Sequence, residues 1–528
     1  MEEEGTVGRG ASVAKRDTVL ILDFGGQYTH LIGRSVRENN VYSEIVPYDI
    51  SADDIRKMDS ASSIRGIILS GGPDSVYEKD APGLDPAVLE LGMPVLGLCY
   101  GHQLIAHMSG GKVRQAAKKE YGDTEAIIDR PEKILHGLHH KEKVWMSHGD
   151  TVASLPDEWE VLAHTDNTPV AAFCHRSLQI YGLQWHPEVV QTEHGSQVIR
   201  NFIFGECKCQ RSWKMADFAD SAIGEVRSII GSGKAVVALS GGVDSSVAAA
   251  LVTKAIGGHN LVAVYVDTGL MREGETGQIR GTFTKLGTDL RIINAGDRFL
   301  KGLSGVTDPE QKRRIIGRVF AEVFEEQARA SGAEYLVQGT IYPDRVESGR
   351  GGKSALIKTH HNVGGLPKGI KFRAVVEPLR DLYKDEVRKV GRELGLPEQI
   401  VKRQPFPGPG LAVMVIGEVT REKLGIARRA DHIVTEEMER SGLSDGLWQY
   451  FAVLTNTTTT GVRGDGRAYG YLVSFRALVS REAMTARFAE LPWELVRRIS
   501  TRITNEIPEV VRVAYDVTDK PPATVEWE

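Results

Sequence analysis

The chain has 528 residues, and at roughly 100–200 residues per domain this length fits about three domains, not one core. Its formal charge of −5, from 65 Lys and Arg against 70 Asp and Glu, leaves no global basic surface for nucleic acid or an anionic membrane. Four cysteines (Cys99, Cys174, Cys207, Cys209), no signal-like apolar stretch in residues 1–17 and no apolar run of membrane-spanning length give the expectation of a cytoplasmic protein with reduced thiols.

Residues 1–17 are charged and lack periodicity, and read as a flexible N-terminal extension. From TVLILDFG onward, short apolar runs (RGIILSGGP, MPVLGLCYG, AAFCHRSLQIYGLQWHPE) alternate with turn signals and helix-like stretches, the pattern of a layered α/β domain over residues 18–208. The helix-like ADFADSAIGEVRSIIG follows, then the strand AVVAL, the loop SGGVDS, the helix SVAAALVTKAI and the strand LVAVYVDTG. This βαβ start opens a second α/β domain over 209–403. RQPFPGPG, with three prolines and two glycines, forbids regular structure and marks the passage to residues 404–528. There AYGYLVSFRALVS and VVRVAYDVT read as strands flanking the helix-like PWELVRRISTRITNEI. The expected fold class is α/β: two α/β domains followed by a small α+β C-terminal domain.

Chemistry concentrates where strands meet helices. In GLCYGHQ (97–103), Cys99 stands at a strand-to-helix junction between Gly97 and Gly101, small neighbours that let the backbone bend sharply and the thiol stand clear. A helix starting just after it points its positive end at the sulfur and favours thiolate. The alternative is a buried structural cysteine. QWHPE offers a base: in an extended segment His186 and Glu188 face the same way, and Pro187 biases its predecessor toward extended geometry. A solvated loop histidine beside a surface glutamate is the competing reading. Glycines in ILSGGPDSVY follow a strand, so the Gly72 N–H can join the Tyr100 N–H in an oxyanion hole.

GLCYGHQ, SGGP, MSHGD and GLQWHPE together resemble the class I glutamine amidotransferases, over residues 18 to about 207. The resemblance implies that Cys99 attacks the glutamine amide, His186 moves the proton, Glu188 orients His186 and ammonia is released. Cys174, Cys207 and Cys209 match no motif of that family and read as structural; CKC (207–209) lacks the second ligand pair of a zinc site.

SGGVDSS (240–246) follows a strand and opens a helix, so several backbone N–H groups converge where an anion can sit. It lacks the lysine of GxxxxGK[ST], and a plain Gly/Ser turn is the alternative. The motif resembles the pyrophosphate loop of ATP pyrophosphatases, which cleave ATP to AMP and pyrophosphate. That resemblance implies ATP contacts from Ser240, Gly241, Gly242, Val243, Asp244, Ser245 and Ser246, with Asp244 helping to hold Mg2+. Asp267 in VDTGLM ends the next strand, where such folds place ligand groups. Val266 is expected near adenine, and Gly339 in QGTIYPD at another close backbone approach.

DTGLMREGE, QKRRIIG, QGTIYPDRVES, IKTHHNVGGLP, RQPFPGPGL, GDGRAY and KPPATVEWE extend the resemblance to the glutamine-hydrolysing GMP synthetase family, over all but the N-terminal extension. It implies that MgATP adenylates the C2 oxygen of xanthosine 5′-phosphate (XMP) and that ammonia displaces AMP to give GMP. It further implies XMP contacts from Arg313, Asp465, Lys520 and Glu526, an ATP contact from Lys358, and a C-terminal domain that pairs two subunits as a homodimer and completes the nucleotide site. Each of these charges alone reads as a surface group. One departure stands out: Met414 in LAVMVIG replaces the family's usual arginine, with Arg463 in GVRGDG as an alternative source of charge. Two other readings remain at this stage: a different glutamine-dependent ligase of the same type, such as an NAD synthetase-like enzyme, and a catalytically inactive nucleotide sensor.

Overall fold

The computed structural model describes residues 16–349, 370–480 and 486–528, and its chain separates after Phe218 into two compact units. In the first, nine strands form one sheet: β1 (Asp17–Asp23), β2 (Tyr42–Pro47), β3 (Ser63–Leu69), β4 (Val95–Leu98), β5 (Lys112–Ile128), β6 (Lys141–Ser154), β7 (Trp159–His164), β8 (Ala172–His175) and β9 (Ile180–Leu183). Their order is β2-β1-β3-β4-β9-β8-β7-β5-β6. The run from β2 to β9 is parallel, and β1 is buried along its whole length, as a strand covered on both faces must be. The remainder is antiparallel. Helices α1 (Thr29–Arg37), α2 (Ala52–Ala61), α3 (Tyr100–Met108) and α4 (Gly195–Arg200) complete the unit, and α2 starts where the Ser51 hydroxyl accepts the Asp54 N–H. Because β3, β4 and β9 are neighbours, their carboxyl ends bring SGGP, Cys99 and QWHPE to one edge of the sheet.

Helix α5 (Met215–Ile230) leads to the second unit, whose parallel sheet contains β10 (Ala235–Leu239), β11 (Leu261–Asp267), β12 (Asp289–Asn294), β13 (Tyr335–Val337) and β14 (Ala374–Val376) in the order β12-β11-β10-β13-β14. Interleaved with them are α6 (Val243–Ile256), α7 (Glu275–Lys285), α8 (Gly296–Leu303), α9 (Pro309–Ser331) and α10 (Tyr342–Gly349), with α11 (Lys384–Glu393) and α12 (Glu398–Val401) after β14. The chain builds outward from β10 in one direction and then in the other, so the SGGVDSS loop sits at the topological switch point. Helix α6 is apolar on nearly every side and buried accordingly. At α9, the Asp308 carboxylate accepts the Gln311 N–H, Pro309 occupies the first turn, and Gly332 ends the helix at φ +66°.

After the irregular RQPFPGPG stretch come α13 (Arg421–Arg440), β15 (Gln449–Arg463), β16 (Gly466–Val479), β17 (Arg487–Phe488), α14 (Trp493–Glu506) and β18 (Val510–Tyr515). β15 and β16 form a long antiparallel hairpin, and β18 lies parallel to β16. One apolar core runs from Val236 and Val264 through Met414 and Ala427 to Phe475 and Val510. The segment after residue 404 therefore packs into the same unit as the parallel sheet. Among the described residues no helix is long and apolar enough to cross a membrane.

Candidate active site

Cys99 occupies the one residue between β4 and α3, at φ 51° and ψ −103°, a conformation that L-residues avoid. Its neighbours explain how the bend is held. A Cβ on Gly97 would lie 2.4 Å from the Gly101 carbonyl oxygen, and one on Gly101 would lie 2.6 Å from that of Leu69. Both glycines are therefore required by backbone packing around the elbow.

His186 and Glu188 are buried, and His186 Nδ1 is 2.7 Å from Glu188 Oε1. Burial pushes the imidazole pKa down, but the Glu188 carboxylate and a hydrogen-bonded Cys99 outweigh it and hold His186 well above its ordinary value. The three residues are thus coupled, an arrangement that suits a nucleophile, a base and an orienting group. Gly71 closes one side: a Cβ there would stand 3.3 Å from the His186 ring and 3.6 Å from Cys99 Cβ. The Tyr28 ring meets His186 edge to face at 4.9 Å. The sequence singles out neither residue by itself: Gly71 is the first glycine of SGGP, and Tyr28 follows the glycines of DFGGQ. Gly72 packs against the Tyr100 ring and the Phe24 carbonyl, and Tyr100 supplies the first N–H of α3. Burial pushes the Tyr100 phenol up to about 12, and its hydroxyl donates to the Pro82 carbonyl.

MSHGD touches Cys99 on one side and a buried polar network on the other. The Ser147 carbonyl oxygen lies 3.7 Å from Cys99 Sγ, while His148 bridges the Asp150 carbonyl and Glu120. Burial opposes ionisation of Glu120, yet His148, Thr168, Thr165 and Asn167 lower its pKa to about 2. The Asp150 carboxylate accepts from Ser75 and Tyr77, tying β6 to the loop after SGGP. Cys174, Cys207 and Cys209 are buried and free, and burial raises the thiols of Cys174 and Cys207.

In the second unit Gly241 takes φ +79°, and Gly242 caps α6. Ser240 and Ser245 hydroxyls lie 3.2 Å apart, and Ser240 Oγ accepts the Gly242 N–H. Ser246 is fully buried and its hydroxyl donates back to the Gly242 carbonyl, so it shapes the turn from inside. A Cβ on Gly339 would come 3.1 Å from the Ser245 nitrogen, which brings that glycine to the loop. Val243 and Val266 are buried, Val266 within the apolar core. Asp267 accepts from the Gly269 N–H and the Thr276 hydroxyl. Asp244 pairs with Lys384 through Oδ2, whereas its buried Oδ1 has no hydrogen-bond partner among the described residues. Arg403 bonds the Gly241 carbonyl and pairs with Glu275; burial, then nearby Arg272, brings its pKa down to about 10. The sequence singled out neither residue: Lys384 lies in no motif, and Arg403 opens RQPFPGPG, where the prolines and glycines carried the reading. Lys358 lies outside the described residues.

Arg313 does reach the terminus: it donates to the Glu528 carbonyl at 2.5 Å. Beside it Lys312, unremarked in QKRRIIG, is fully buried, donates to the Val415 carbonyl at 2.8 Å and pairs with the Glu528 carboxylate. The segment carrying Lys520 and Glu526 is folded back: Lys520 exchanges backbone hydrogen bonds with Ala486, Arg476 pairs with Asp516, and the Trp527 indole donates to Asp516.

Two residues lie where the motif strings did not suggest. Asp465 lies in the turn at the tip of the β15–β16 hairpin, whereas Lys520 lies beside its base, where Leu478 pairs with Phe488. At ~3.3 Å per residue, about 40 Å of strand separates tip from base, so one chain does not bring these two side chains together. Met414 is fully buried in the apolar core, not at an open phosphate site, and Arg463 donates to the carbonyls of Thr504, Ile507 and Val510.

The class-I glutamine amidotransferase family matches residues 20–205, the NAD synthase family 216–311 and the GMP synthase C terminal domain 436–527. A GMP synthase [glutamine-hydrolyzing] of Caldanaerobacter subterraneus subsp. tengcongensis is 54% identical over 518 residues, 97% of this chain and 99% of that protein. Proteins of the same name from Caldicellulosiruptor saccharolyticus (53%, covering 97% of this chain and 100% of the relative) and Thermomicrobium roseum (54%, 97% of each) are similar to it as well.

Proposed function

This chain belongs to the glutamine-hydrolysing GMP synthase family, and from that premise we propose how its residues divide the reaction. The enzyme forms GMP from XMP, ATP, glutamine and water, with AMP, pyrophosphate and glutamate as the other products. The observation that carries the residue-level reading is the buried Cys99, His186 and Glu188 constellation at the ends of adjacent strands.

Cys99 gives its proton to His186 and attacks the glutamine amide carbon. The N–H groups of Gly72 and Tyr100 receive the developing oxyanion, and His186 returns the proton to the departing ammonia. Water then cleaves the thioester to glutamate. Glu188 stabilises the imidazolium in both halves of the cycle. In the second unit the amides of residues 240–243 and the hydroxyls of Ser240 and Ser245 cradle the ATP phosphates. The unpartnered Asp244 Oδ1 suits a hard cation, and a Mg2+ bound there with ATP would offset charge on the departing pyrophosphate. Lys384, already paired with Asp244, adds a cation on the same side. Ser246, Val266, Gly339 and Lys358 keep their assignment to the ATP region.

Arg313, Lys520 and Glu526 form the XMP side in this reading, completed by residues 404–528. That segment also pairs two subunits: Val462, Tyr469 and Trp493 are 72–80% exposed on it, apolar side chains suited to a partner surface. Asp465 then enters an XMP site from a second copy of the chain. We place the enzyme in the cytoplasm, where a catalytic thiol stays reduced. AMP release measured with a panel of purine monophosphates and with a deamidated dinucleotide tests the substrate. XMP alone should support turnover; preference for the dinucleotide would overturn the reading.

A further inference from the structure

Beyond the residues of both candidate sites, the first unit gathers His139, Glu142 and His194. Each offers one metal-ligating atom, and these atoms all lie within 4.8 Å of one another. His194 Nδ1 is 2.7 Å from Glu142 Oε2, the His139 backbone N–H donates to Glu142 Oε1 at 2.7 Å, and the two imidazole rings meet edge to face at 5.3 Å. Glu142 is only 3% exposed, and among the described residues its one ion-pair partner is His194, whose side chain is half open to solvent. A nearly buried carboxylate is thus held by one imidazole and one backbone N–H, and a buried charge of this kind is either paired or bound to a metal.

We propose that His139, Glu142 and His194 bind a divalent transition-metal ion of the Zn2+ class. Two imidazole nitrogens and one carboxylate oxygen are the donors such a cation takes, with the open side left to water. Metal–ligand bonds of ~2.0–2.2 Å place tetrahedral donors roughly 3.3–3.6 Å apart. The closest pair here spreads slightly to reach that spacing. The widest gap closes by rotation of the exposed His139 side chain.

The position gives the ion a structural role in the glutaminase unit. Strand β6 is laced to the segment after β9: His186 N–H donates to the Trp145 carbonyl at 3.1 Å, Trp145 N–H to Thr192 Oγ1 at 3.1 Å, and Glu193 N–H to the Lys143 carbonyl at 3.1 Å. Glu142 and His194 are the next rung. A metal there staples the segment that carries His186 and Glu188 to the strand that carries Ser147.

The test uses the full chain, stripped with chelator and with Cys99 alkylated so that the catalytic thiol cannot take metal. Zn2+ is titrated calorimetrically and Co2+ by visible absorption. One equivalent should bind and raise the melting temperature. His194→Ala and His139→Ala should each weaken binding at least about tenfold, since even groups that only support a metal ligand are worth ~10–100-fold. Unalkylated variants should still hydrolyse glutamine, which reports that they fold; if His194→Ala does not, the exposed His139→Gln supplies the comparison. Equal stoichiometry, affinity and melting shift in the wild type and the His139→Ala/His194→Ala double variant would overturn the proposal.

Discussion

Glu188→Gln keeps the shape beneath His186 and removes the charge. The carboxylate oxygen sits 2.7 Å from Nδ1, with both side chains almost sealed from solvent. At an effective dielectric of about 20, the Coulomb attraction between unit charges at that distance is ~6 kcal/mol. This is an upper limit, because the glutamine amide still offers an oxygen and the carboxylate no longer has to be desolvated. A loss of about 4 kcal/mol in the transition state corresponds to ~10^3 in rate, and an amide that holds the wrong tautomer brings it toward ~10^4. Glutamine-dependent GMP formation should therefore fall by 10^3 to 10^4, mostly in kcat, while formation from added ammonium stays unchanged. The pH profile carries a second signature. With the carboxylate gone, one of the two groups that offset burial at His186 is lost and its pKa falls. The alkaline limb of the residual rate, where the imidazolium is lost, then moves to lower pH. A loss smaller than tenfold, or an equal loss with ammonium, would refute the role assigned to Glu188.

Cys99→Ala should abolish the glutamine-dependent rate and spare the ammonium-dependent one, as paired assays on one preparation would show. Asp244→Asn should lower GMP formation from both nitrogen sources at least about tenfold at saturating ATP and Mg2+, with basal glutaminase activity retained. Met414→Arg would bury a guanidinium close to the Lys312 ammonium, which already bonds the Ala412 and Val415 carbonyls. Thermal and denaturant unfolding should show a destabilisation of at least about 3 kcal/mol, and a lower KM for XMP at unchanged stability would contradict this. If Asp465 acts from a second copy, Asp465→Ala and Lys520→Ala chains should each be inactive, and a re-equilibrated equimolar mixture should recover about a quarter of wild-type turnover, one intact site in half of the dimers. No recovery on mixing would place Asp465 outside the site.

What could be read in advance was local. GLCYGHQ and SGGVDSS each compress strand end, turn and helix start into seven residues, and QWHPE holds a base and its orienting carboxylate two residues apart, so neighbours in sequence already define the geometry. The α/β class followed for the same reason, since AVVAL and LVAVYVDTG announce buried parallel strands. The missing pieces come from residues far apart in the chain: Lys384 meets Asp244 across 140 positions, Arg403 meets Gly241 across 162, and Lys312 meets Glu528 across 216. Only the strand order makes them neighbours, and that order is not written in any short stretch. Asp465 and Met414 show the converse. A motif match places a residue in a string without saying where a long hairpin ends or which face of a turn is buried.

The backbone at Cys99 also bears on how such an enzyme ages in evolution. A left-handed conformation at a non-glycine residue carries about 1–3 kcal/mol of strain, and glycine is the replacement that releases it. For a lineage that feeds on free ammonia, the substitution that silences the glutaminase is the same one that relaxes the fold. Selection for glutamine use is then the force keeping a sulfur at this bend, and glycine at this position in a relative would record that the selection had lapsed.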